Sequence, residues 1–369
     1  MIKETLADLV RIDSVSSRSN VEIVEYIEKR CQKLHLSTGY VPYIDKNLVQ
    51  KINLIALSHR TYDVELALVG HTDTVPYDPN WSEATTLTER DGKLYGRGSC
   101  DTKGFIAAAL TALETVKPQK PIALVFTADE EIGLLGAKVL AENQALHPRY
   151  SIVGEPTSLR PIRAGKGYSL AEVIVKGREA HSAYPALGAS AVLRAARLIN
   201  RLESIANELK NDQHPAFDPP YTTLNIGLIQ GGSAKNVLAG ECRFTLEWRP
   251  IPTQPSDHLL NLFRAAIEEE TKADPDFQCE VDANRQDTGF ETAPDSPLVK
   301  LLEEASGNKS GTVAFGTEAA QMKHLGSEAV VIGPGDIREA HRTGEFVPVD
   351  ELERCADILR QSIQQLCSS

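Results

Sequence analysis

The sequence predicts an α/β protein with a central, mainly parallel β-sheet and a second, inserted α+β domain. Apolar runs of strand length alternate with helical periodicities over residues 64–153 and again after residue 288. Strands that alternate with helices are typical of parallel sheets with right-handed crossovers. Between these two regions the order of elements changes to βαββαβ, which is the ferredoxin-like plan. We therefore expect one discontinuous domain from residues 1–165 and 288–369, and an inserted domain from residues 166–287.

The elements of the discontinuous domain follow from the spacing of its apolar residues. Two amphipathic helices are expected near the N-terminus, and Ser19 and Glu22 predict a capping box at the start of the second. The later predicted strands are residues 64–69, 121–127, 151–153 and 329–332. The later predicted helices are residues 105–116, 134–143, 298–305 and 350–366.

The inserted domain has its own pattern of elements. Its predicted strands are residues 168–175, 222–229, 241–248 and 277–283, and its predicted helices are residues 190–209 and 257–271. The proline-rich segment 214–221 predicts a loop within this domain.

Composition excludes several classes of function. A chain of 369 residues exceeds the usual size of a single core, which favours two domains. The net charge of -12 leaves no basic surplus to neutralise phosphates, and this argues against a nucleic-acid or anionic-membrane partner. No apolar run has membrane-spanning length, and the N-terminal segment lacks the apolar core of a signal peptide. We therefore expect a cytoplasmic protein.

The cysteines are scattered, and none belongs to a CxxC pair. They are Cys31, Cys100, Cys242, Cys279, Cys355 and Cys367. This pattern indicates reduced, mostly buried side chains, with no disulfide framework and no thiolate metal site. Any metal site in this chain is therefore expected to use histidine and carboxylate ligands.

Residues able to bind metal ions lie at or just beyond the ends of predicted elements. The stretch LVGHTDTV presents His71 and Asp73 two residues apart, which places both side chains on one face of an extended strand. The other candidates at such positions are Asp101, Glu130, Glu131, Glu155 and His341. An open parallel sheet collects binding residues beyond the carboxyl ends of its strands, so these segments can converge. Two imidazoles with several carboxylates suit a pair of divalent ions, zinc first, with cobalt or manganese as substitutes.

Each candidate also has a simpler interpretation. Asp101 is well placed as a helix N-cap, and Glu130 and Glu131 are well placed as carboxylates near a helix start. Glu155 is compatible with a turn, and His341 with an exposed surface histidine. If all of these simpler interpretations were correct, several functionally unrelated residues would lie at the same edge of the predicted sheet by chance.

Five stretches carry a family resemblance: GHTDTVP, GRGSCDTKG, TADEEIG, GEPT and AHRTGEF. In this order and spacing they resemble the co-catalytic zinc aminoacylase and carboxypeptidase family, which includes acetylornithine deacetylase, succinyl-diaminopimelate desuccinylase and glutamate carboxypeptidase. The resemblance spans nearly the whole chain. It implies a zinc-exopeptidase-like catalytic domain into which a lid and dimerisation domain is inserted.

The same resemblance implies roles for the candidate residues. One zinc ion would be held by His71, Asp101 and Glu155, and the other by Asp101, Glu131 and His341, so that Asp101 bridges the pair. Glu130 would then be the general base, and Asp73 would orient His71.

The inserted domain resembles the same family at three further positions. His181 in KGREAHSAYP matches a histidine that stabilises the oxyanion, often from the partner subunit, which implies a homodimer through this domain. Asn236 in GGSAKNVLAG and Arg249 in LEWRPIP resemble a substrate-contacting asparagine and a carboxylate-binding arginine. The alternatives are a surface loop for His181, a turn for Asn236 and an exposed strand end for Arg249.

Three stretches, GEPTSLRPIRAGKGY, AFGTEAAQ and GPGDIREAHRTGEF, resemble the acetylornithine deacetylase subgroup. This resemblance implies that Gly316, Thr317 and Glu318 lie near the substrate, with Glu318 facing the distal ammonium of an ornithine-like side chain. A plain helix start with Thr317 as N-cap is compatible with that role.

The implied activity is hydrolysis of an N-acyl amino acid, first of all N2-acetyl-L-ornithine, to acetate and L-ornithine in arginine biosynthesis. The alternative substrates are acetylcitrulline, acetyl-lysine, succinyl-diaminopimelate and a dipeptide. A more remote alternative is a non-catalytic binding or oligomerisation module.

Overall fold

The computed structural model of the chain describes residues 2–274 and 276–368. These residues form two compact units. Unit 1 comprises the residues up to Arg163, Glu291–Gly311 and the residues from Thr317 onward, and unit 2 comprises Ala164–Phe290 and Thr312–Gly316. The segment 312–316 therefore clusters with unit 2, whereas the sequence predicts it to be part of the discontinuous domain.

Helices and strands are interspersed along the described residues. The helices are α1 (Ile2–Arg11), α2 (Val21–Lys33), α3 (Lys103–Leu113), α4 (Leu135–Glu142), α5 (Ala191–Leu209), α6 (His258–Ala273), α7 (Pro297–Ser306), α8 (Ala319–His324) and α9 (Val349–Cys367). The strands are β1 (Ser37–Ile44), β2 (Gln50–Leu57), β3 (Asp63–His71), β4 (Thr88–Arg90), β5 (Lys93–Tyr95), β6 (Ile122–Thr127), β7 (His147–Val153), β8 (Ile162–Gly165), β9 (Tyr168–Lys176), β10 (Thr223–Gly231), β11 (Glu241–Arg249), β12 (Gln278–Asp287), β13 (Phe290–Glu291), β14 (Gly311–Val313), β15 (Glu328–Val331) and β16 (Phe346–Pro348).

The main sheet has the strand order β1-β2-β6-β3-β7-β15-β8-β13. Its middle is parallel, because β3 pairs in parallel with β6 and β7, and β7 pairs in parallel with β15. The hairpin β1–β2 extends one edge in the antiparallel sense. The mainly parallel sheet predicted from the sequence is confirmed, whereas β1 and β2 were not predicted.

Helices cover the sheet of unit 1. One continuous cluster of buried side chains joins α1, α2, α3, α7 and α9 to the strands. Helices α4 and α8 pack against each other and against other residues of the same sheet. The central strand β6 is accordingly buried at every residue, as expected for a strand between two layers.

The predicted capping box at α2 is wrong. The N-cap is Asn20, and its side chain makes no hydrogen bond to the helix. The Asn20 amide instead donates to the carbonyl of Ile52 at 2.8 Å, and the Ser19 hydroxyl donates to the carbonyl of Gln50 at 3.0 Å. Both polar side chains therefore tie the start of α2 to β2.

Unit 2 contains an antiparallel sheet of order β10-β11-β9-β12. Helices α5 and α6 pack against this sheet through a separate hydrophobic core that includes Leu198, Phe244, Trp248 and Phe263. The chain order of these elements is βαββαβ, so the predicted ferredoxin-like plan is confirmed. Strand β10 lies at the edge of the sheet.

Within the described residues, every helix is too short or too polar to cross a membrane.

Candidate metal centre

The candidate ligands of unit 1 lie at one edge of the parallel sheet. His71 is the last residue of β3, Glu130 and Glu131 follow β6, and Glu155 follows β7. These three strands are neighbours and point in the same direction. Their carboxyl ends therefore bring candidate ligands from distant parts of the chain to the same edge of the sheet.

Asp101 lies between two histidines. Its Oδ1 atom is 3.0 Å from Nε2 of His71, and its Oδ2 atom is 3.2 Å from Nε2 of His341. The Glu131 carboxylate lies 3.0 Å from the same nitrogen of His341. One donor atom each from His71, Asp101 and Glu131 lie within 4.8 Å of one another. The two oxygens of Asp101 are thus oriented toward different imidazoles, which is the arrangement of a carboxylate able to bridge two ions.

The carboxylates and imidazoles of this group shift one another's pKa values. Burial raises the pKa of Asp101, but hydrogen bonds from His341 and His71 outweigh it and hold this pKa well below its ordinary value. Burial lowers the pKa of His71, but its hydrogen bonds to Asp101 and Asp73 raise it well above the ordinary value. Hydrogen bonds to Asp101 and Glu131 raise the pKa of His341 to about 10. Each imidazole therefore faces negative charge that would equally favour a bound cation.

Two further carboxyl groups, Glu130 and Glu155, interact electrostatically with these residues. Burial and the charges of Glu131 and Asp101 raise the pKa of Glu130 well above its ordinary value, against the attraction of His71. Burial and the charges of Asp101 and Glu130 raise the pKa of Glu155 in the same way. Carboxylates crowded in a low-dielectric site repel one another unless cations neutralise them. The donor set of this chain therefore fits divalent metal ions.

Asp73 has more contacts than the sequence predicted. Its Oδ1 atom accepts the backbone N–H of Glu130 at 3.1 Å, and its Oδ2 atom accepts the backbone N–H of Glu131 at 3.3 Å and the hydroxyl of Ser16 at 2.7 Å. The Nδ1 atom of His71 lies 3.0 Å from the carbonyl oxygen of Asp73 and 3.6 Å from its carboxylate. One side chain thus lies beside the His71 ring and fixes the main chain of both glutamates.

A buried ion pair lies at Asp129, the residue directly before Glu130. The Asp129 carboxylate accepts from Lys51 at 2.5 Å and from the Tyr43 hydroxyl at 2.9 Å. Asp129 has a positive φ of 56°, which is uncommon for a residue other than glycine. Lys51 also donates to the carbonyls of Ser16 and Arg18, and only 1% of its side chain is exposed. No sequence signal predicts this cluster, because its members lie far apart in the chain.

Cys100, the residue before Asp101, is buried, and all six cysteines of the chain are free thiols. Burial and the charge of Glu345 raise its pKa well above the ordinary value, which keeps the thiol protonated. The cysteine spacing predicted mostly buried side chains, and five of the six are buried.

Unit 2 brings two of its candidate residues together. His181 pairs with Val237 in an isolated bridge, and the backbone N–H of Ser182 donates to the carbonyl of Asn236 at 3.0 Å. The backbone N–H of Ala183 donates to Nδ1 of His181 at 3.1 Å. In the neutral ring this bond makes Nδ1 the acceptor, so the proton resides on Nε2. The exposed His181 side chain can therefore present an N–H donor.

Arg249, the last residue of β11, is also in unit 2. Its Nε atom donates to Glu247 at 2.9 Å, and its guanidinium carbon lies 4.3 Å from the centroid of the Tyr168 ring. The ion pair and the ring contact restrict the orientation of the guanidinium.

The GTE segment lies where the chain passes from unit 2 to unit 1. Gly316 belongs to unit 2, and Thr317 and Glu318 belong to unit 1. The Thr317 hydroxyl accepts the backbone N–H of Ala319 at 3.2 Å, although Glu318 is the residue at the N-cap position of α8.

Glu318 is fully buried, with none of its surface exposed. The Thr127 hydroxyl lies nearby without hydrogen-bond geometry, and both carboxylate oxygens of Glu318 have no hydrogen-bond partner among the described residues. Burial raises the pKa of Glu318 to about 7, against the attraction of His71.

The parallel α/β sheet and the cluster of histidine and carboxylate side chains at its edge define a metal-dependent hydrolase. The chain belongs to the peptidase family M20/M25/M40, whose sequence profile matches residues 67–365.

Two curated relatives match nearly the whole length of the chain. The chain is 49% identical to Acetylornithine deacetylase of Myxococcus xanthus, over 99% of this chain and 97% of the relative. It is 34% identical to Acetylornithine deacetylase of Aliivibrio salmonicida, over 99% of this chain and 98% of the relative. Among solved structures, a tripeptidase from Staphylococcus aureus superposes with a TM-score of 0.78 at 24% identity, covering 100% of this chain and 98% of that one. A dinuclear metal-binding peptidase of the M20 family from Bacillus subtilis superposes with a TM-score of 0.69 at 14% identity, covering 99% and 97%. These two structures support the fold.

Proposed function

We propose that this protein removes the acetyl group from N2-acetyl-L-ornithine, giving L-ornithine and acetate for arginine biosynthesis. The observation that carries the proposal is the position of Asp101 between His71 and His341, with Glu131 on the same side as His341. The two relatives with the name Acetylornithine deacetylase, which match this chain over nearly its whole length, direct the choice of substrate.

We assign the ligands to two divalent ions, with zinc as the first choice and cobalt or manganese as substitutes. His71, Asp101 and Glu155 would hold one ion, and Asp101, Glu131 and His341 the other. When bound, such a pair supplies Lewis acidity that polarises an amide carbonyl and lowers the pKa of water.

Glu130 is the general base of the proposed reaction. Its main chain is fixed by Asp73, and its carboxylate forms no hydrogen bond within the described residues, so the oxygens are available to a water molecule. A carboxylate whose pKa is raised holds a proton more firmly than an ordinary one, which suits a group that takes a proton from water. Glu130 then transfers this proton to the nitrogen of the departing amine.

Three residues of unit 2 are assigned roles toward the substrate. The Nε2–H of His181 would donate to the oxyanion, since its Nδ1 atom already accepts from Ala183. The terminal nitrogens of Arg249 would hold the substrate α-carboxylate through two hydrogen bonds, with Asn236 as a second polar contact.

The segment Gly316, Thr317 and Glu318 is assigned to the amino-acid side chain of the substrate. A buried carboxylate without a hydrogen-bond partner is a suitable acceptor for the distal ammonium of ornithine. This assignment requires the segment to open toward the substrate, because Glu318 has no exposed surface.

We further propose a homodimer formed through unit 2. Leu228 and Ile229 on the edge strand β10 are 73% and 57% exposed, and Leu193 near the start of α5 is 66% exposed. Apolar side chains concentrated beside an unpaired strand edge favour pairing with a second copy.

The test is a substrate panel on zinc-reconstituted protein. We expect kcat/KM for N2-acetyl-L-ornithine to exceed that for acetylcitrulline, because citrulline carries no ammonium for Glu318. Acetyl-lysine tests whether the enzyme selects the length of the amino-acid side chain. Succinyl-diaminopimelate and a dipeptide test whether it selects the acetyl group over other acyl groups. A higher kcat/KM for any of these four would refute the choice of substrate, and inactivity toward all five would refute the hydrolase proposal as a whole.

A further inference from the structure

Glu345 lies four residues after His341 and connects two of the metal-binding loops. Its side chain is fully buried, and its Oε1 atom accepts the backbone N–H groups of Cys100 at 3.0 Å and of Asp101 at 3.1 Å. A single carboxylate oxygen therefore fixes the main chain at the residue that lies between His71 and His341.

The other oxygen of Glu345 is bound to Arg97, of which 4% is exposed. Arg97 also donates to the carbonyl of Pro76 at 3.3 Å, and its guanidinium carbon lies 5.4 Å from the centroid of the Trp81 ring. The backbone N–H of Gly96 donates to the carbonyl of Glu345 at 3.1 Å. Side-chain and main-chain bonds thus tie residues 96–101 to the segment that carries His341.

Both oxygens of Glu345 accept hydrogen bonds from the protein, and Glu345 is not among the candidate metal ligands. Its bonds act on Asp101 through the main chain and on His341 through the chain segment 341–345. His341 has a positive φ of 61°, which is uncommon for a residue other than glycine. Moving Glu345 would change the separation between Oδ2 of Asp101 and Nε2 of His341.

We propose that Glu345 is a positioning residue that holds Asp101 and His341 at the spacing required for the ion shared by Asp101, Glu131 and His341. The inference rests on the proposed function, because it takes Asp101 as a ligand common to both ions. A buried ion pair with a purely structural role would lower the stability of the fold and leave the relative affinity of the two metal sites unchanged.

The experiment is a titration of chelator-treated protein with Co²⁺. Binding is measured by calorimetry and by the change in visible absorption. We expect two equivalents to bind to the parent protein. In Glu345→Gln the second equivalent should bind about 10- to 100-fold more weakly, which is the usual effect of losing an outer contact of a ligand. The first equivalent should be affected less, because two of its three proposed ligands, His71 and Glu155, make no bond to Glu345. The absorption change of the second equivalent should shift in the same variant.

Glu270→Gln is the matched control. It removes a carboxylate of unit 2 that is 9% exposed and bound to Arg197 at 2.7 Å. We expect this variant to lose stability while both equivalents bind as in the parent.

Arg97→Lys serves as a second variant if Glu345→Gln fails to fold. It keeps the positive charge but replaces the planar guanidinium by an ammonium, and it should weaken the second equivalent by a smaller factor. Parent-like affinity for both equivalents in either folded variant would overturn the proposal. Binding of fewer than two equivalents to the parent would instead refute the two-ion site of the proposed function.

Discussion

The Oδ1 atom of Asp73 accepts the backbone N–H of Glu130 at 3.1 Å. The sequence predicted a role for Asp73 at His71, which lies two residues away, and for Glu130 as general base, but it did not link the two. The bond connects the loop after β3 to the loop after β6, and the same carboxylate also accepts the N–H of Glu131. The residue proposed to move the proton is thus held by a neighbour of the first histidine.

Replacing Asp73 by asparagine should destabilise the protein. The amide nitrogen of Asn cannot accept the N–H of Glu131 or the Ser16 hydroxyl, so at least one buried donor loses its partner. We expect the free energy of unfolding to fall by roughly 1–3 kcal/mol. Urea denaturation of the metal-free protein measures this change. Asp63→Asn, at an exposed position of β3, is the control and should leave the free energy of unfolding nearly unchanged.

Glu130→Gln should abolish most of the turnover while the metal content persists. The amide cannot take a proton from water, and loss of a general base costs about 10²- to 10⁴-fold in kcat. Elemental analysis and steady-state kinetics measure the two quantities on the same sample. The exposed Glu25→Gln is the control. Undiminished kcat in Glu130→Gln, with metal content equal to the parent, would show that another group is the base.

Removing metal should lower both activity and thermal stability. Cations that bind only the folded state stabilise it by about 2.7 kcal/mol at a concentration 100 times the dissociation constant. We expect a chelator to lower Tm and to abolish hydrolysis, and Zn²⁺ or Co²⁺ to restore both. In Asp101→Asn, which loses the charge between His71 and His341, the rise in Tm on adding metal should be smaller. A Tm that does not respond to metal in the parent would contradict a donor set built for divalent ions.

Glu318→Gln should remove a pH dependence of stability in the metal-free protein. The pKa of Glu318 is raised from 4.5 to about 7 in the folded state. The folded protein therefore binds this proton more firmly than the unfolded chain, and stability is lost as pH rises from about 4.5 to about 7. Above pH 7 the variant should be more stable than the parent by about 3 kcal/mol. This gain should disappear toward pH 5.

Glu303→Gln is the control for this pH series. Hydrogen bonds from the Ser310 backbone N–H and hydroxyl lower the pKa of Glu303 to about 2. Glu303 is therefore ionised in both the folded and the unfolded chain between pH 5 and 8, and its substitution should change stability by a constant amount. Urea denaturation at several pH values distinguishes the two variants. If the difference in the free energy of unfolding between Glu318→Gln and the parent did not change with pH, Glu318 would not be a buried carboxylate that lacks a partner.

Leu228→Asp should prevent association through unit 2. A charge on the edge strand β10 opposes pairing with a second copy and exposes a carboxylate where an apolar contact is expected. Light scattering of the eluted protein should give the mass of a dimer for the parent and of a monomer for the variant. Leu48→Asp, at a position of unit 1 that is 87% exposed, should remain dimeric. If the parent had the mass of a monomer, the proposed homodimer would be refuted.

The parallel strands could be predicted because their apolar runs are continuous. Strands β3, β6 and β7 bury most or all of their residues, and their ends carry the polar side chains that the sequence singled out. The convergence of these ends follows from the rule for parallel sheets and needs no contact information. The side chains at the ends of β3, β6 and β7 therefore provided the strongest signal in the sequence.

Strand β2 could not be predicted from periodicity. Lys51 and Asn53 interrupt its apolar pattern, yet they are 1% and 0% exposed. Lys51 pairs with Asp129, and Asn53 accepts the backbone N–H of Ala128 at 3.0 Å and donates to the carbonyl of Gly136 at 3.1 Å. Polar residues in a strand indicate exposure only when they lack buried partners, and these partners lie more than 70 residues away in the chain.

Separation along the chain also explains why the roles of Glu345 and Arg97 were not predicted. Glu345 lies within the stretch AHRTGEF, but its partners Cys100 and Asp101 are more than 240 residues away. A single sequence gives the chemistry of such a side chain and not the identity of its neighbour.

The hairpin β1–β2 lies at one edge of the sheet, so its removal would leave the pairing of the other strands intact. Here Tyr43 and Lys51 reach from this hairpin to Asp129, the residue directly before Glu130. A shortened enzyme without the hairpin would keep the proposed cation-binding side chains but lose the support of Glu130, the residue proposed to transfer the proton.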